Sequence, residues 1–209
     1  LGFLAGLLRL PAEAFQKAIA KKFKRKAAAA EASEAAFRAG QDFAAQTFKL
    51  DDVVFGPAVS TVVAGATVEM ISGNAAIVRG ALDAGIDTFF GYPITPATSI
   101  MERLAAEMPK RGGRLLQTED EIAALSAVVG AGARAATSTS GPGLSLMAEM
   151  LGMGVIGEVP SVIFVSQRGG PSTGMPTKTE QSDLHMAVYG GHGDAPRIVI
   201  APTNVDGCY

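Results

Sequence analysis

Two different hydrophobic periods divide the chain. After Pro11, Phe15, Ile19 and Phe23 recur at every fourth position, which predicts an amphipathic helix over 11–30 opened by the proline. Ser33 is suited to cap a second helix that runs to about residue 48. These helices have no sheet of their own and read as the tail of another domain. Residues 49–70 mix Asp, Pro, Gly and Thr without a sustained period and read as a linker.

From Ile71 short apolar runs alternate with helical stretches. A helix over 74–84, capped by Ser72 and stopped by Gly85, leads to a strand over 87–90. A helix over 97–108 is expected to bury Ile100, Met101, Leu104, Ala105 and Met108. Then follow strand 114–117, helix 119–129, strand 135–139, helix 144–151 and strand 161–166. A long loop over 167–179, a short helix over 182–188 and a strand over 197–201 complete the pattern. This alternation predicts an α/β fold with a doubly wound parallel sheet over 71–209. Ligands in such sheets sit beyond the carboxyl ends of the strands. Three unusual loops leave those ends, over 91–96, 140–143 and 168–177.

Composition narrows the class. Of 209 residues, 48% are hydrophobic and only 18% charged, with 25 glycines, which suits close packing or a large subunit interface. A formal charge of −2 gives no electrostatic case for nucleic acid. The basic run Lys21, Lys22, Lys24, Arg25, Lys26 fits a solvated helix end. The apolar opening, residues 1–10, is too short to span a bilayer and lacks a basic leader, so no membrane role is expected. Leu1 in place of Met, and Tyr209 close behind a strand-like run, make both ends read as cut. One cysteine, Cys208, allows neither an internal disulfide nor a cluster held by this chain alone, and points to a reducing, cytoplasmic setting.

Candidate chemistry lies in the loops. In Gly91-Tyr92-Pro93-Ile94-Thr95-Pro96 two prolines remove donors and fix φ, so the Thr95 hydroxyl and the Ile94 and Thr95 amides can be held against a ligand. On physics alone a rigid strand-to-helix turn with Thr95 as its cap fits better. Thr118-Glu119-Asp120-Glu121 has capping-box spacing, with Glu121 returning to the Thr118 amide. Alternatively, Glu121 is a partly desolvated carboxylate on an apolar helix, suited to proton exchange. Pattern alone favours the cap. Arg168, just past an apolar strand in a Gly-rich loop, is a candidate carboxylate clamp. Gly130-Ala131-Gly132-Ala133-Arg134-Ala135 mimics a dinucleotide fingerprint, but it follows a helix and precedes a strand, so it is rejected. His185 and His192 have no ligand-spaced partners, so no metal site is expected in this chain.

The ordered set of motifs resembles the α subunit of 2-oxoacid:ferredoxin oxidoreductases, especially the 2-oxoglutarate type. It comprises Gly73-Asn74, the 91–96 loop, Gln117-Thr118-Glu119-Asp120-Glu121, Thr139-Ser140-Gly141-Pro142-Gly143 and Arg168-Gly169-Gly170-Pro171-Ser172-Thr173-Gly174. Gln181-Ser182-Asp183-Leu184 and His192-Gly193-Asp194 extend it. Ala75 and Ala97 depart from the family pattern, where Glu and Ser are expected. The resemblance makes 1–48 the end of a γ-type domain, 49–70 a linker and 71–209 a pyrimidine-binding domain. It implies oxidative decarboxylation of a 2-oxoacid by thiamine diphosphate, with electrons passing to ferredoxin and the acyl group to coenzyme A. A β subunit would hold the diphosphate, its Mg2+ and a [4Fe-4S] cluster. Carried over by residue, Glu121 would bond the pyrimidine N1′. Tyr92 and Ile94 would help hold the cofactor, Thr95 and Arg168 would bind the substrate, and Thr177 would support that pocket. A pyruvate-type enzyme, another thiamine enzyme and an inactive assembly fragment are the alternatives.

Overall fold

The structure, a computed structural model, describes residues 1–47, 69–132 and 134–209. The expected linker, 49–70, lies outside the described residues except for Glu69 and Met70. Contacts divide the chain into two compact units, Leu1–Val68 and Glu69–Tyr209.

The first unit is helical, with α1 (Gly2–Leu7), α2 (Ala12–Lys22) and α3 (Ala27–Thr47). α2 is shorter than the expected 11–30 helix, because the chain turns at Phe23 and restarts at Ala27. Ser33 is not a cap: the alanine-rich stretch at 27–30 starts α3 about two turns earlier and leaves Ser33 inside it. α1 packs on α3, where Phe37 and Ala44 are buried. Glycine allows this closeness: a Cβ on Gly40 would lie 2.6 Å from the Phe3 nitrogen. The Phe15 and Phe37 rings stack at 5.3 Å, and Phe23 lies under the Lys22 ammonium at 5.7 Å.

The second unit is a sheet between helical layers. Its elements are α4 (Gly73–Asp83), β1 (Thr88–Gly91), α5 (Thr98–Glu107), β2 (Arg114–Gln117), α6 (Glu121–Ala131), β3 (Ala135–Thr139), α7 (Gly141–Ile156), β4 (Val162–Val165) and α8 (Asp183–Tyr189). Every strand pairing is parallel and the order is β2-β1-β3-β4. Alternate strand residues feed opposite faces. Phe89 and Ala136 join Val78, Leu82, Ile100, Leu104 and Met108 under α4 and α5. Phe90, Ala135 and Ile163 join Ala124, Leu125, Val128 and Met147 under α6 and α7. The doubly wound α/β expectation therefore holds.

Three details differ from the sequence reading. Ala105 is exposed, because the buried stripe of α5 is Ile100, Met101 and Leu104 and continues into Met108. The expected turn at Gly141-Pro142-Gly143 is already the first turn of α7, with Pro142 where a missing N–H costs nothing. No strand forms over 197–201. Ile198 and Ile200 stay 93% and 81% exposed, so no burial offsets the entropy of ordering them.

Candidate active site

The order β2-β1-β3-β4 places a topological switch point between β1 and β3. The chain leaves β1 towards one edge of the sheet and β3 towards the other, opening a crevice at their carboxyl ends. The predicted loops lie at that end of the sheet.

Glu121 opens α6, and α6 packs on both β1 and β3. The capping-box expectation is corrected. Asp120 is the cap, its Oδ1 accepting from the Ala123 amide at 2.7 Å, while the Thr118 amide donates to the Gly91 carbonyl at 2.9 Å. Asp120 won because it immediately precedes the helix and is extended there, whereas Thr118 is still tied to the end of β1. The Glu121 side chain is thus relieved of capping, yet it is only 6% exposed.

Glycine shapes the space beside it. A Cβ on Gly143 would lie 2.7 Å from Glu121 Cγ and 2.9 Å from its Oε1, and would collide with Thr139 Oγ1. Gly143 therefore keeps bare backbone against a buried carboxylate. On β3, Thr137 Oγ1, and at the N-cap of α7, Ser140 Oγ, are fully buried and have no hydrogen-bond partner among the described residues. Glu121 thus sets a buried carboxylate directly against bare glycine backbone at the head of α6.

The β1 and β4 loops meet at Arg168, which is 6% exposed. Its Nη1 donates to the Thr95 carbonyl at 2.8 Å and its Nη2 to the Thr173 carbonyl at 2.7 Å. Nε is buried and has no hydrogen-bond partner among the described residues. The structure thus joins Thr95 to Arg168, with the Thr95 side chain exposed. Tyr92 is 38% exposed and Ile94 half-buried on the same loop. Thr177 is exposed on the outer turn, which the Lys178 amide closes by donating to the Met175 carbonyl at 3.0 Å.

An acidic residue braces this loop. The Gly170 amide donates to Glu180 Oε2 at 2.8 Å. The Asp183 carboxylate rests where a Gly141 side chain would be, and its Oδ2 is buried with no hydrogen-bond partner among the described residues. Burial pushes the Asp183 carboxyl above the ordinary range and Glu180 adds to this, while the Arg168 charge pulls it back. Among the described residues, no three His, Cys, Asp or Glu side chains gather to hold a metal ion.

Sequence reasoning missed the hydrogen-bond hub at Asn74, because its partners are 22 to 92 positions away. The only signal was the Gly73-Asn74 pair.

A parallel sheet with a buried carboxylate against bare glycine backbone at its switch point defines the class: a doubly wound α/β domain with its candidate chemistry at the carboxyl ends of the strands. The chain belongs to the family described as pyruvate flavodoxin/ferredoxin oxidoreductase, thiamine diphosphate-binding, whose model matches residues 79–209. It is 54% identical over 144 residues to 2-oxoglutarate synthase subunit KorA of Archaeoglobus fulgidus, covering 68% of this chain and 42% of that protein. It is 40% identical over 217 aligned residues to 2-oxoglutarate oxidoreductase subunit KorA of Mycobacterium tuberculosis, covering 100% of this chain and 33% of that one. Its structure is similar to that of 2-oxoglutarate:ferredoxin oxidoreductase from Magnetococcus marinus with 2-oxoglutarate, coenzyme A and succinyl-CoA bound. The TM-score is 0.76 and the identity 41%, over 100% of this chain and 36% of that one. The chain therefore spans well under half the length of each of these proteins.

Proposed function

We propose that this chain is part of the α subunit of a 2-oxoacid:ferredoxin oxidoreductase and supplies the aminopyrimidine half of a thiamine diphosphate site. The observation that carries the reading is Glu121, buried, freed from capping and facing the bare backbone of Gly143. The relatives named for 2-oxoglutarate favour that substrate. The partners are a β subunit holding the diphosphate, Mg2+ and a [4Fe-4S] cluster, with ferredoxin and coenzyme A as co-substrates. The setting is the cytoplasm; among the described residues no helix is long and apolar enough to cross a membrane.

Thiamine diphosphate, when bound, supplies a thiazolium carbon able to attack a 2-oxo group. The chain's own residues orient the reactants and move protons. Glu121 holds a proton at N1′ of the aminopyrimidine, a task for which a water-poor carboxylate is suited. Tyr92 and Ile94 line that ring. Thr95 donates its hydroxyl to the oxoacid. Arg168 offers the N–H donors left free by the two carbonyls, a charged fork suited to a carboxylate. Thr177 closes the outer side of the pocket.

The test is Glu121→Gln in the assembled enzyme, read as 2-oxoacid-dependent dye reduction. The subunits should assemble normally and turnover should fall by about two orders of magnitude or more, as expected for loss of a proton-transfer group. Near-normal turnover would remove Glu121 from this role.

A further inference from the structure

Two consecutive carbonyls of the 91–96 loop and its exit are gripped from different elements. Arg168 from the end of β4 holds the Thr95 oxygen. Asn74, in the first turn of α4, holds the Pro96 oxygen, its Nδ2 donating at 3.0 Å. The same Nδ2 donates to Ser99 Oγ at 2.9 Å, in the first turn of α5. Asn74 Oδ1 accepts from Ser166 Oγ at 3.0 Å, the residue that follows β4. One amide therefore ties α4, α5, the β1 loop and the β4 exit together, with both donors and its acceptor engaged.

The direction of these bonds matters. The Pro96 carbonyl can only accept, so it fixes Nδ2 on its own side of the amide and leaves Oδ1 to accept from the Ser166 hydroxyl. Thr95 is then held from both sides, by Arg168 at its own carbonyl and by Asn74 one residue on. Its hydroxyl remains exposed at the switch point. Within the loop the Thr98 amide donates to the Ile94 carbonyl at 2.9 Å, so the segment Asn74 grips is itself one hydrogen-bonded turn.

We propose that Asn74 is a positioning residue for Thr95: through the Pro96 carbonyl and Ser99 it sets where the Thr95 hydroxyl meets the oxoacid. This rests on the functional reading above. Ser166 supports this one bond further out, by donating to the amide oxygen and holding it in place.

The experiment is a double-mutant cycle in the assembled enzyme. Asn74→Ala should raise KM for the oxoacid about tenfold to a hundredfold, the scale of a small misplacement, with a lesser fall in kcat. In a Thr95→Ala background the same substitution should cost less than about threefold, because no hydroxyl remains to be misplaced. Asn74→Asp keeps the shape but turns an acceptor towards the Pro96 oxygen, and should match or exceed Asn74→Ala. In the free chain, amide exchange at Thr98 should quicken in Asn74→Ala while exchange in β3 stays unchanged. A full, multiplicative penalty in the Thr95→Ala background, a KM within about twofold of the parent, or unchanged exchange at Thr98 each overturns the proposal. If Asn74→Ala fails to assemble, Ser166→Ala takes its place in the cycle with the same expected coupling at smaller amplitude. Normal turnover in Thr95→Ala and Glu121→Gln would instead defeat the functional reading.

Discussion

The centre of the sheet and its β4 flank end in different structures, and apolarity does not sort them: β3 carries Thr137, Ser138 and Thr139, while the flank carries Ile198-Val199-Ile200. β3 is buried along its whole length, paired with β1 on one side and β4 on the other. Beyond β4, Ile198-Val199-Ile200 is as apolar as Val162–Val165, yet it forms no strand. A cavity of about 1240 Å³ runs beside β4, bordered by Ile163, Val165 and Ile198. An apolar run becomes a strand only where a neighbour takes its N–H and C=O groups and another layer covers its face. The candidate site is built where both conditions are met, which is why its buried carboxylate and hydroxyls can be held still.

That contrast is sharpest at Gly143. Gly143→Ala places a methyl against Thr139 Oγ1 and Glu121, at the rigid centre. It should destabilise the chain by about 1–3 kcal/mol, the range for overpacking, in denaturant unfolding. Unchanged stability would show that the centre is looser than the geometry implies.

A smaller effect belongs to Asp183, at the border between centre and flank. Its folded carboxyl titrates above the unfolded value, so its contribution to stability is full below the unfolded value and is lost as pH rises through the folded one. Asparagine does not titrate. The melting temperature of Asp183→Asn minus that of the parent should therefore grow from acid to neutral pH. A difference that is flat with pH, or that shrinks, contradicts the assignment.

The smallest effect should come from the flank. Ile198→Ser removes an apolar side chain that is already exposed, so unfolding free energy should stay within about 0.5 kcal/mol of the parent. A larger loss would mean that the flank is packed, and the comparison would fail.

Much of the centre was legible in the sequence, because local rules and tertiary packing agree there. Strands at 114–117 and 135–139 fell where the apolar runs placed them, and Ser72 caps α4 by accepting from the Ala75 amide at 3.3 Å. Gly85, at φ +88, ends that helix as its type suggests. Elsewhere the deciding partner was distant or ambiguous. Thr118 and Asp120 both had cap chemistry, and only the Thr118 bond to Gly91 decides between them. Ser33 had cap chemistry too, but alanines ahead of it extend the helix. Of the site, Glu121 and Arg168 could be named from pattern and family resemblance. That Arg168 grips the Thr95 carbonyl, and that Asn74 grips the next one, depends on contacts across 73 and 22 positions that no local pattern encodes.

The central claim is that these residues form half of a shared thiamine site. Calorimetric titration of thiamine diphosphate tests it most directly, on this chain alone and after assembly with the β subunit. The account predicts weak or undetectable binding to the chain alone, saturable binding to the assembly, and weaker binding to an assembly carrying Glu121→Gln. Equal affinity with and without the β subunit, unaffected by that substitution, would contradict it.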